Sequence, residues 1–407
     1  MKILTSLVET CKDKLRILDV ENSSYLQVNT AIKISTYINN EINDRININQ
    51  YLKDEAVRLI TDCKRLEQLH ISGTNISDEG KARVIMGLPR LKHLVRADFL
   101  ADALGWVDYL EEMEDPVFDI RDFLPSTSYF FHESWQMEMV CRMCPNIEKM
   151  LFIHHPKCCP TLEPLEGFRR LTELQVHGST WGPSGLARLL EKVGPGLRSL
   201  GLISIKGMNY RSLQLILTTC SRLTGLVLNN CDLAGGEELR PEVPKTLLEE
   251  LVVTSSMRGH YVDWLLRAAT QLKIVHLGGL TEVSDEMFLS LTEGGNLQHL
   301  QEIQIERSAR LSMETLDCLL CHCPLLRSVG DLAAWAGVSG QELGQMRQVV
   351  HEQNLALDLS SHQVLRRFLG LAGEDRRQMV TLMTGPVLER IRLAQQEARI
   401  QEAAAQL

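Results

Sequence analysis

One phrase, L-x-x-L-x-L, returns along this chain about every 25 residues, and a spacing that regular restricts the fold before any element is assigned. It reads Leu66, Leu69, Ile71; Leu171, Leu174, Val176; Leu197, Leu200, Leu202; and Leu223, Leu226, Leu228. The series continues with Leu248, Leu251, Val253, then Leu272, Val275, Leu277, then Leu300, Ile303, Ile305. Between first positions from Ile147 to Leu326 the steps are 24, 26, 26, 25, 24, 28 and 26 residues. Leu91 follows Leu66 by 25, whereas Leu15 and Leu66 are 51 apart, two steps with a degenerate unit around Ile42 to Ile48. Ile147 lies 56 beyond Leu91, two steps and a few residues.

In L-x-L the alternating apolar residues point inward from a short strand and the intervening residues point out. Turn-forming residues follow each phrase, as in Ser72-Gly73-Thr74 or Asn229-Asn230-Cys231, and then an amphipathic stretch such as Gly185 to Leu190 with helical apolar spacing. Strand and helix alternate in every unit, so the sheet is expected to be parallel. No unit can bury its apolar face alone, and stacking yields one continuous core. The expected fold is therefore α/β: a leucine-rich-repeat solenoid, a horseshoe over 1–360 with strands on the concave face and helices outside. Residues 361–407 read as a helical C-terminal cap or tail.

The units resemble the cysteine-containing repeat of F-box/leucine-rich-repeat proteins, roughly C-x-x-L-x-x-L-x-L-x-x-C-x-x-I-[ST]-D-x-x-L. Cys63-Lys64-Arg65-Leu66-Glu67-Gln68-Leu69-His70-Ile71 is followed by Ile76-Ser77-Asp78, a later unit has Val283-Ser284-Asp285, and Cys144-Pro145-Asn146-Ile147 and Cys323-Pro324-Leu325-Leu326 lead repeats in the same way. The resemblance implies that the repeats recruit a substrate for an SCF-type cullin ubiquitin ligase, with an F-box of about fifty residues docking the adaptor. No F-box is found. Met1 opens on what reads as the helix half of a repeat, Ile3-Leu4-x-x-Leu7-Val8, and an uncapped solenoid end exposes core. A truncated product, an isoform or an end covered by a partner is expected, with the adaptor reached through a missing or separate F-box.

Charge narrows the partner. The 407 residues carry 43 Lys and Arg against 52 Asp and Glu, a net −9, the wrong sign for holding phosphate backbones, so nucleic acid is not expected. No apolar run approaches the roughly 18 residues of a membrane span, and the start lacks the form of a signal peptide. Eleven cysteines, an odd number, fit a reduced cytoplasmic or nuclear protein; the sequons at Asn22 and Asn75 are then chance matches.

Catalytic signatures fail one by one. Gly178-Ser179-Thr180-Trp181-Gly182 puts Thr where a hydrolase elbow carries Ser. His132-Glu133 is followed by Gln136 in place of the second His of a zinc protease. No phosphate-cradling G-x-x-x-x-G-K-[ST] is present, and neither an enzyme nor a cofactor is expected. Cys141, Cys144, His154, His155, Cys158 and Cys159 offer zinc-like spacing. The stronger reading is structural, because Cys144 holds the repeat-leading position that Cys63, Cys220 and Cys323 also hold, where a small side chain packs between units.

What remains is recognition. The outward positions, and hence the candidate concave face for a protein partner, are Gln68, His70 and Ser72; Glu173, Gln175 and His177; Gly225, Val227 and Asn229; Glu250, Val252 and Thr254; Ile274, His276 and Gly278; and Glu302, Gln304 and Glu306. The acidic stretch near 106–125, with Trp106 and Tyr109 at its entrance, reads as an insertion, either a solvated loop or a dock for a basic peptide. The alternative to a ligase receptor is a ubiquitin-independent scaffold, such as an enzyme-binding inhibitor.

Overall fold

A computed structural model of the chain describes residues 12–19, 53–71, 74–110, 114–125, 133–154, 163–179, 183–231, 243–278, 281–352 and 356–359. The degenerate unit expected near Ile42 to Ile48, the tail 361–407, and Ser72, His155, Cys158 and Cys159 lie outside them. The chain forms two compact units, Met1–Ser179 with Gly185–Leu197, and Thr180–Ser184 with Arg198–Leu407.

In the first unit the strands are β1 (Ile17–Asp19), β2 (Gln68–His70), β3 (His93–Val95), β4 (Asp122–Leu124), β5 (Lys149–Ile153) and β6 (Glu173–Ser179), each parallel to the next. The helices are α1 (Val57–Thr61), α2 (Asp78–Gly87), α3 (Leu100–Leu110), α4 (Ser134–Met143) and α5 (Pro183–Val193). In the second unit β7 (Ser199–Ile205), β8 (Gly225–Asn229), β9 (Glu250–Val253), β10 (Ile274–Leu277), β11 (Glu302–Ile305) and β13 (Ser328–Gly330) form the parallel sheet. Its helices are α6 (Tyr210–Thr219), α7 (Gly259–Ala268), α8 (Asp285–Glu293), α9 (Met313–His322) and α10 (Gly340–Glu352). A second ladder, β12 (Ser308–Ser312) with β14 (Trp335–Gly337), lies beyond β11. The architecture is that of an α/β leucine-rich-repeat solenoid.

The strands form where the period placed them because their inward residues have no other way to leave water. Leu69, Leu94, Phe123, Met150 and Leu174 sit level on five successive strands, and Leu200, Leu226, Leu251, Val275 and Ile303 do so in the second unit; all are buried. Each such side chain contributes about 1.5–3 kcal/mol on burial. Just before many of the strands one carbonyl takes both N–H groups of the next unit: Arg16 O accepts from Glu67 and Gln68, and Arg198 O from Thr224 and Gly225. That bonding satisfies backbone groups at the strand entrance, which burial would otherwise leave unpaired.

Helix starts follow the Ser-Asp motif. Ser77 caps α2 by accepting from the Gly80 N–H, and Ser284 caps α8 by accepting from the Met287 N–H, satisfying donors that have no intrahelical partner. The acidic stretch near 106–125 is not an insertion. It contains the end of α3 and all of β4, whose register with β3 and β5 makes it an ordinary repeat strand. Its phrase, Ile120-x-x-Phe123-x-Pro125, places buried Ile, Phe and Pro where the other repeats carry aliphatic residues.

Candidate protein-interaction surface

Parallel register converts the outward strand positions into lateral rows. In the first unit the leading row is Ile17, Gln68, His93, Asp122, Lys149 and Glu173, one residue per strand. His93 Nδ1 lies 2.5 Å from Asp122 Oδ2, and Lys149 Nζ lies 2.8 Å from Glu173 Oε1. The Lys149 side chain remains 43% exposed and that of Glu173 47%, so these groups face solvent while holding one another. Partial burial works against the Lys149 charge, but the Glu173 hydrogen bond and the negative charges of Glu173, Asp122 and Glu148 outweigh it, and its pKa is raised.

The next row is less open. His70 is level with Asp19 on β1, and Leu151 with Gln175 on β6; His70 and Leu151 are buried, whereas Gln175 is partly exposed. At the end of β6, His177 is partly exposed, and its carbonyl accepts from the His154 N–H at 2.9 Å. The structure therefore brings Gln68, Glu173 and Gln175 to one accessible sheet face, withdraws His70 from it, and leaves His177 partly exposed with its Nε2 buried.

In the second unit the leading row is Ser199, Gly225, Glu250, Ile274, Glu302 and Ser328, and the middle row is Gly201, Val227, Val252, His276, Gln304 and Gly330. Val227, Asn229, Val252, His276 and Gln304 are buried, with His276 at 0% relative exposure. The expectation that these five residues are openly presented fails. Alternation fixes which way a side chain points, whereas its exposure depends on what its neighbours reach. His276 Nε2 lies 3.0 Å from a Glu306 carboxylate oxygen, and Gln304 Nε2 donates to Asp331 at 2.7 Å. Glu250, Thr254, Ile274, Glu302 and Glu306 keep partial exposure. At Gly278 an added Cβ would lie 2.9 Å from the Thr254 Cα, so only glycine fits there without a shift.

Sequence reasoning missed His93, Asp122 and Lys149. The signal was present in Lys149, two residues after Ile147 and just before the inward Met150, as it was in His93, two residues after Leu91. Asp122 was hidden by the mistaken insertion.

The repeat-leading cysteines are packing groups in this fold. Cys63, Cys144, Cys220 and Cys323 are buried, and the last three terminate α4, α6 and α9. Burial pushes the Cys220 and Cys323 thiols up to about 12 and raises Cys144 further, which holds them protonated and unreactive at neutral pH. Cys231 donates to the Leu202 carbonyl at 3.2 Å, joining two repeats. Cys141 Sγ packs against Gly167 so closely that no Cβ would fit there. Among the described residues no group of three His, Cys, Asp or Glu is placed to hold a metal, and no helix is long and apolar enough to cross a membrane.

No family model matches the chain, and neither does any curated protein. Among solved structures, an internalin from Listeria monocytogenes is similar at 12% identity and a TM-score of 0.38, over 66% of this chain and 81% of that one. The complex of Rad7 and Elc1 from yeast is similar at 15% identity and a TM-score of 0.36, over 72% of this chain and 81% of the matched one.

Proposed function

We propose that the chain is a non-catalytic protein-recognition module that reads a partner along the outward rows of its sheet strands, and that it serves as the substrate-binding part of a cullin-type ubiquitin ligase. The observation that carries the reading is the leading row of the first unit, where Gln68, His93, Asp122, Lys149 and Glu173 stand on five consecutive strands. Strand spacing of about 4.7–4.9 Å sets these groups at a fixed repeat along which a partner is recognised by shape and hydrogen bonding. The His93–Asp122 contact and the Lys149–Glu173 ion pair preorganise the row, so less side-chain freedom is lost on binding. The ligase assignment rests on the cysteine-led repeats that resemble those of F-box/leucine-rich-repeat proteins, and it requires a contact with the cullin adaptor.

Affinity capture of the intact chain from its own cells, with crosslinking and mass spectrometry, tests both parts. The expected result is recovery of a cullin-ligase adaptor together with a second protein crosslinked to β2–β6. Lys149→Glu, which sets a third acid between Asp122 and Glu173, weakens the second protein's capture by about tenfold or more, the scale of a reversed interfacial charge, and leaves the adaptor in place. A stable partner without ubiquitin machinery would make the chain an independent scaffold, such as an enzyme-binding inhibitor. Capture indifferent to Lys149→Glu would place the interface elsewhere.

A further inference from the structure

The helical side of the first unit carries a feature that the sheet face does not explain. Trp106 and Tyr109 on α3 and Trp135 on α4 are 39%, 75% and 45% exposed. The Trp106 and Tyr109 rings meet edge to face, with centroids 5.5 Å apart. The Trp135 ring lies against α3 at Gly105, 3.5 Å from where a Cβ would sit, so α4 sets its exposed ring against the helix that carries the other two. The two other tryptophans among the described residues, Trp264 and Trp335, are buried in the core. Three large rings left in water on adjacent helices are costly unless something covers them.

The charge around them indicates what that is. α3 with the residues that follow it to Asp115, and α4, hold seven Asp and Glu against one Arg, Arg142. Asp102 precedes Trp106 by one helical turn and accepts from Gln136 Nε2 at 2.8 Å; Asp108 pairs with Arg142 at 2.8 Å; and Glu138, one turn beyond Trp135, is exposed. Exposed rings on helices rich in carboxylates suit cations that are themselves planar and weakly hydrated, and guanidinium groups stack on such rings better than ammonium groups do. Nucleic acids and anionic membranes carry the wrong sign for this surface. We infer that the α3–α4 face is a second docking surface, distinct from the sheet rows, and that its occupant is an arginine-rich polypeptide segment of another protein.

The test uses the full chain and a fluorescein-labelled octa-arginine peptide, with octa-lysine as the comparison, read by fluorescence anisotropy at fixed salt. Saturable binding that favours octa-arginine is expected. The W106A/Y109A double variant is expected to weaken it about tenfold, the loss of two partly desolvated cation–π contacts, with the thermal midpoint unchanged. A photo-crosslinking octa-arginine peptide on the wild-type chain is expected to label 100–110 and 134–143, and this readout does not depend on the variant folding. Absence of binding, equal binding by the double variant, or labelling elsewhere would each overturn the inference. So would a concentration-dependent dimer in sedimentation that W106A/Y109A abolishes, since a second copy would then be the occupant.

Discussion

At His177 the solenoid places an imidazole where its charge is poorly tolerated. Its Nε2 is buried without a hydrogen-bond partner among the described residues, and burial lowers its pKa from 6.5 to about 4. Because the folded pKa is the lower one, between those values the unfolded chain takes up a proton that the folded chain refuses. Stability from this group is therefore complete above pH 6.5 and is lost as pH falls toward 4. Thermal unfolding of the wild type and of His177→Gln, followed from pH 7 to pH 4.5, is expected to show the wild-type midpoint falling more steeply; parallel curves would mean that His177 is solvated. Periodicity had already placed His177 on the outward side. What it did not carry was burial, which is why His70 and His276, read from the same outward positions, are buried instead of offered to a partner.

Between elements, the Ser-Asp motif does more than start a helix. Asp285, in the first turn of α8, reaches the next repeat: its carboxylate accepts from the Ser312 N–H at 3.0 Å, from Ser312 Oγ at 2.8 Å and from Thr315 Oγ1. Ser312 is itself the N-cap of α9, so one aspartate fixes the start of the following helix. In the first unit Asp54 binds Ser77 in the same way, at 2.8 Å to both N and Oγ, but more exposed and with no such threonine contact. Asp285→Ala is expected to cost about 1–3 kcal/mol, more than Asp54→Ala, because it leaves three donors without their acceptor; urea unfolding of the two variants decides the order. The cap serines were legible from Ile76-Ser77-Asp78 and Val283-Ser284-Asp285, but the reach into the next repeat was not, since it depends on how successive helices stack. The β4 repeat was illegible for a different reason. Its phrase uses Phe123 and Pro125, and the acidic residues around it resemble a loop in composition while the backbone still pairs on both sides.

Across the molecule, repetition makes stability a property of neighbours. In the second unit Leu226 is fully buried on β8, level with Leu200 on β7 and Leu251 on β9. Leu226→Ala removes apolar volume that no other part of its own repeat can replace, at a cost of about 2–5 kcal/mol. In a stacked array each repeat draws its stability from the interfaces on either side, so a weakened repeat withdraws support from both. Hydrogen exchange on Leu226→Ala is therefore expected to show faster exchange at the amides of β7 and β9 as well as β8. Protection of β1–β3, in the first unit and several repeats away, is expected to change far less. If only β8 amides exchange faster, the repeats are stabilised mainly within themselves. The sheet rows would then be independent short surfaces, and a partner spanning several strands could bind without tightening the array. If the loss spreads to both neighbours, binding along a row must stabilise every repeat it crosses, and a partner's affinity becomes linked to the stability of the strands it spans.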